Sequence, residues 1–134
     1  MKINISKRIL WLIGSNFLLF IEYILCRYIL IDLHGMYEWP RAIYIFGIIV
    51  IIIAAIFDRR KIMLCTVSGF IAGFTLGALF NVDGFDNGGG TTNNFWIWWT
   101  LTMVNIIFIG IIWEIVLKRI KEHKWAGTPG TKQN

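Results

Sequence analysis

Residues 43 to 57 read "IYIFGIIVIIIAAIF", a run whose only ionisable group is a tyrosine phenol. A run like this offers no polar face to water, so it is neither a surface helix nor an alternating half-buried strand. Trp39, Pro40 and Arg41 precede it and "DRRK" follows, which is how a bilayer span is bounded. The rest of the chain agrees. With 57% hydrophobic and 16% charged residues, its 134 residues could not furnish the surface of a soluble domain.

Four spans are expected, over residues 9–31, 41–57, 62–82 and 95–117. At about 1.5 Å per residue each crosses a hydrocarbon core of about 30 Å, the second only barely. Transmembrane strands would alternate and run to about ten residues, so a β-barrel is excluded. The expected fold is an all-α integral membrane protein, a four-transmembrane-helix bundle over residues 1–125 with a disordered polar tail at 126–134.

Orientation follows from the basic residues. Lys2, Lys7 and Arg8 precede the first span, and Arg59, Arg60 and Lys61 join the second to the third. Lys118, Arg119, Lys121, Lys124 and Lys132 follow the fourth. The two remaining connectors hold Arg41 alone, against Asp32, Glu38, Asp83 and Asp86. The positive-inside rule then places both termini in the cytoplasm of a bacterial-type inner membrane. The net charge of +5 is thus a topology signal; no basic patch interleaves with aromatics as nucleic-acid binding needs. The first span carries Glu22 and Arg27 and no small-residue cleavage site, so it is expected to be retained. Trp39, Trp96, Trp98 and Trp99 fall at the outer boundary, and Trp11, Trp113 and Trp125 at the inner one, as interfacial anchors do.

The third span is the expected packing helix, because Gly69, Gly73 and Gly77 recur every four residues beside Ser68, Ala72 and Ala78. That ridge admits another backbone closely, from the first or fourth span or from a second copy of the chain. The second span, uniformly apolar, is expected to face lipid.

Polar groups inside spans are costly and default to functional hypotheses. On a helical wheel Asn16, Tyr23 and Arg27 fall within about 40° of one another, with Ser15, Glu22 and Cys26 on a neighbouring stripe. Arg27 lies about 7 Å below the outer end, within snorkelling reach of headgroups. Glu22 lies near the bilayer centre. Asn105 of the fourth span falls at a similar depth, so Glu22 and Asn105 are expected to face one another with Thr102 one turn away. Such a pair is either interhelical glue or a protonatable, cation-binding centre. Glu114 precedes Lys118 by four residues, the favoured order for an interfacial ion pair. Cys26 and Cys65 lie about 20 Å apart in depth, too far for a disulfide, and read as small buried apolar residues.

Residues 81–94, "NVDGFDNGGGTTNN", interrupt the hydrocarbon with an acidic, glycine-rich external loop. Against the calcium-loop pattern its third position is Phe85 and its twelfth Asn94, so an EF-hand is rejected. A weaker cation site around Asp83, Asp86 and Asn87 is the residual alternative. Read plainly, the loop is a flexible hinge with Asn93 or Asn94 capping the fourth helix. Its length exceeds the 2–8 residues helix connections commonly take, which points to a recognition surface or a loop folded over the mouth of the bundle, with Phe85 as apolar anchor.

No enzymatic constellation emerges: His34 and His123 lie on opposite sides, and no nucleophile has a base. No cofactor or metal is implied. The expected function is a non-catalytic accessory or interaction subunit, whose partners are the bilayer and a larger membrane complex or homo-oligomer. The alternatives are a small oligomeric proton- or cation-coupled transporter or channel using Glu22, and a holin-like pore former.

Overall fold

A computed structural model of the protein describes residues 5–30, 38–85, 87 and 91–126. Helix α1 (Ile5–Ile24) runs into a π-helical turn (Leu25–Leu30), followed by α2 (Glu38–Ile56) and α3 (Arg60–Leu79). Two short strands, β1 (Asp83–Phe85) and β2 (Thr91–Asn93), precede the long α4 (Phe95–Ala126). Among the described residues, four helices are long and apolar enough to cross a membrane. The polar tail expected beyond Ala126, along with Asp86, Asp32 and His34, lies outside the described residues.

Helix α3 is the hub: it packs most extensively on α4, and also on α2 and α1, while α1 packs on α2 as well. The reason is the glycine ridge. Carbonyl oxygens of Met103, Trp99 and Phe95 would lie 3.3, 2.6 and 3.1 Å from a Cβ placed on Gly69, Gly73 and Gly77 respectively. Both rows step by four residues and run in opposite directions, so antiparallel backbones meet along one seam. Gly110 continues the seam against Cys65.

Trp99 fills the centre of this seam rather than anchoring at a boundary, as its place near the span end had implied. It is 1% exposed, packs edge-on against Phe70, Phe74 and Phe95, and donates its indole N–H to the Phe70 carbonyl at 2.9 Å. A buried indole needs such an acceptor, and the mid-helix carbonyl supplies it. Trp96 and Trp98, on the other side of the same turn, stay exposed.

Helix α2 also departs from expectation. Ile43, Gly47, Ile51, Ala54 and Ala55 are buried, so its small residues make a packing face, and α1 and α4 expose the larger share of their surface. Leu19 of α1 and Met103 of α4 converge on Gly47. The helix begins three residues before the expected start because Glu38, Trp39 and Pro40 form its first turn, where proline loses no hydrogen bond.

The end of the bundle holding the α2–α3 turn is tied by side chains from the flanking helices. Asp58, at φ 53°, takes the left-handed place of a Schellman turn. The Asp58 N–H donates to Ala55 at 3.1 Å and the Arg59 N–H to Ala54 at 2.7 Å. Arg8 of α1 donates its Nε to the Ala55 carbonyl at 3.1 Å and its Nη2 to the carbonyls of Ala55 and Ile56. A cation thereby meets the negative end of the α2 dipole. Helix α3 starts without a side-chain cap of its own. Glu114 of α4 serves instead, accepting the Lys61 N–H at 3.1 Å and lying 3.8 Å from Arg59.

Candidate functional site: a half-buried carboxyl and a hairpin between α3 and α4

The inward stripe of α1 is built from Ser15, Leu19, Glu22 and Cys26, which follow one another at helical spacing. Ser15, Leu19 and Cys26 are buried; Glu22 is half-buried, with its Oε2 enclosed and no hydrogen-bond partner. Asn16, Tyr23 and Arg27 occupy the neighbouring stripe. Asn16 donates to the Leu12 carbonyl at 2.9 Å, and the Arg27 Nη1 donates to the Tyr23 hydroxyl at 2.8 Å. The Tyr23 ring stacks on Tyr44 of α2 with centroids 4.6 Å apart. The Arg27 guanidinium also lies over the Tyr28 ring. Arg27 therefore has aromatic and hydroxyl partners inside the protein, held where α1 widens into its π-helical turn, and it does not pair with Glu22.

Glu22 and Asn105 do not meet. Asn105 is exposed and turns its Nδ2 back to the Leu101 carbonyl at 2.8 Å. The cause is the azimuth of α4. Its core stripe is Phe95, Trp99, Met103 and Ile107, and Asn105 lies two residues from either neighbour, about 200° round the helix. Thr102 is half-buried on the flank of that stripe. Glu22 therefore keeps an enclosed Oε2 without a hydrogen-bond partner, and the amide expected to face it is turned back onto its own helix. Cys26 and Cys65 are both free thiols. The Glu114 carboxylate reaches the start of α3, a contact that its spacing to Lys118 does not foretell.

The described residues between α3 and α4 form a hairpin where a flexible hinge was expected. Strands β1 and β2 pair antiparallel, with Asp83 opposite Asn93, Gly84 opposite Thr92 and Phe85 opposite Thr91. Asn94 occupies the N-cap place of α4, its backbone carbonyl accepting the Ile97 and Trp98 N–H groups. Its side chain does not cap the helix; Oδ1 accepts the Val82 N–H at 2.7 Å and closes the base of the hairpin. Asp83 accepts from Asn81 Nδ2 at 2.9 Å, and Phe80 packs on Trp98 at 5.3 Å between centroids. Phe85 is 82% exposed, and Asn87 is exposed beyond it.

Among the described residues no three His, Cys, Asp or Glu side chains gather as metal ligands would. No family profile, curated protein or solved structure matches the chain. The class defined by the fold is a mostly helical protein with four helices apolar enough to span a membrane.

Proposed function

We propose that the protein is an integral membrane accessory subunit, with both termini in the cytoplasm, that binds a partner through its external hairpin and performs no catalysis itself. The observation carrying this reading is the hairpin: a folded element raised on α3 and α4, with Phe85 82% exposed at its end. Exposed aromatics held on a rigid support are what interface hot spots are made of. The wide exposure of Phe17, Ile29, Phe108 and Trp113 along the helices supports insertion, because a dissolved protein seldom tolerates such continuous apolar surface.

The test is co-purification from native membranes in mild detergent, comparing the wild type with Phe85→Ala. The wild type is expected to bring down a stoichiometric membrane protein, and the variant to lose about 2 kcal/mol of binding, roughly thirtyfold in affinity. A monodisperse protomer with no companion would sink the reading.

A second reading, ion or proton coupling, is favoured by the enclosed Oε2 of Glu22, which has no hydrogen-bond partner. Intramembrane acids without structural partners mark ion pathways in transporters. Proton- or cation-driven flux in liposomes, abolished by Glu22→Gln, is its expected signature; equal flux in both proteins would dismiss it.

A further inference from the structure

Helices α2 and α4 both pack on α3, and between their halves nearer the α2–α3 turn lies a groove of about 450 Å³. That volume falls within the range of about 300–1,000 Å³ typical of ligand sites. Its floor is the buried Ala54 and Ile107, and its walls include Ile53, Phe57, Ile111 and Ile115, all exposed. The α4 wall repeats every four residues from Ile107 to Ile115, a stripe about 12 Å long. One leaflet of hydrocarbon is about 15 Å deep, so the stripe matches a single acyl chain lying along the helix.

Among the described residues, Arg59 and Glu114 are the charged ones that line the groove. Both Glu114 oxygens are engaged, one by the Lys61 N–H and the other by Arg59. Beside them stand Arg60, with its Nε 3.6 Å from Asp58, and Lys61, whose ammonium lies over the Trp113 ring at 5.3 Å. Arg8, Lys118 and Arg119 join the same end of the bundle, so cations outnumber Asp58 and Glu114 there. An apolar trough one leaflet deep with a cationic mouth has the polarity of an anionic amphiphile.

We propose that this groove binds one anionic phospholipid of the surrounding bilayer, its acyl chain along Ile107, Ile111 and Ile115 and its phosphate at the basic turn. The proposal rests on the membrane reading above, which resistance to alkaline carbonate extraction tests separately. The site itself is read by native mass spectrometry of the full chain in nonionic detergent. The probes are phosphatidylglycerol and phosphatidylcholine with identical acyl chains.

The wild type is expected to hold one phosphatidylglycerol about tenfold more tightly than phosphatidylcholine. Arg60→Gln/Lys61→Gln, which leaves the Arg59–Glu114 pair in place, is expected to reduce that preference to parity. Ile111→Trp, filling the groove from an exposed wall, is expected to remove the tightly held lipid; Ile115→Trp serves if circular dichroism shows the first variant unfolded. Equal retention of the two lipids by the wild type overturns the proposal. So does a preference surviving the double charge variant, or retention unchanged by the groove-filling tryptophan.

Discussion

Gly73 and Gly14 are both helical glycines, and their surroundings are opposite. A Cβ on Gly73 would lie 2.6 Å from both the Trp99 carbonyl oxygen and its Cδ1. Neither can withdraw, since one is backbone and the other belongs to a ring tied to Phe70 by its indole N–H. Gly73→Ala is therefore expected to cost about 1–3 kcal/mol through overpacking. At Gly14 nothing lies within 4 Å. Gly14→Ala should be neutral or stabilise the helix by up to about 1 kcal/mol, since it removes glycine's excess backbone freedom. Thermal unfolding of the two variants in one detergent checks the contrast, and an equal response would mean that α3 and α4 do not approach so closely. The four-residue spacing of Gly69, Gly73 and Gly77 marks the approach face in the sequence alone. The role of Trp99 is not legible in the same way. A tryptophan near a span end satisfies two descriptions, boundary anchor and core ring, and only its register against the α3 glycines decides between them.

At the scale of elements, each helix end at the α2–α3 turn is completed by a different helix. Glu114→Gln keeps an acceptor for the Lys61 N–H but removes the charge that faces Arg59 and the α3 dipole, an expected loss of about 1 kcal/mol. Arg8→Met removes the donor to the last carbonyls of α2 and should release the turn. Hydrogen exchange at Phe57, Asp58 and Arg59 is expected to quicken in Arg8→Met, while exchange at Phe70 and Phe74 stays slow. Uniform quickening would mean that Arg8 supports the whole bundle and not one end. Neither contact is visible in the sequence, because a basic residue before a first span and an acid near the end of a fourth already have ordinary explanations as topology and surface signals. The position of α2 was hidden for another reason. A run that is apolar all round has no moment, so its buried face must be read from small residues, and Gly47, Ala54 and Ala55 were that signal. Helical rise alone gives Glu22 and Asn105 a similar expected depth, but facing one another also needs the azimuth of each helix. That azimuth is set by packing partners, which for α4 are the α3 glycines.

The whole molecule divides by depth into three kinds of surface. The α2–α3 turn end is basic, the helix flanks are hydrocarbon, and the opposite end carries the hairpin with Asp83 and Phe85. Transfer of the turn end across a bilayer would carry Arg59, Arg60 and Lys61 through hydrocarbon, at about 2.5–3.5 kcal/mol for each charge at mid-depth. The hairpin has no such barrier beyond Asp83 and the neighbouring Asp86. One orientation should therefore dominate, with the hairpin outside and the turn inside. Single-cysteine variants in a Cys26→Ala/Cys65→Ala background test it directly. With a membrane-impermeant maleimide on intact cells, Phe85→Cys is expected to label and Arg60→Cys to stay unlabelled until the membrane is opened. Phe108→Cys, on the exposed flank of α4, should resist the reagent in both conditions, because a thiol surrounded by acyl chains neither ionises nor meets a water-soluble probe. Labelling of Phe85 and Arg60 positions from the same side would contradict an arrangement of four full crossings. Ready labelling at Phe108 would place that flank in water, and the apolar surface of α1 and α4 would then call for a protein partner in place of lipid.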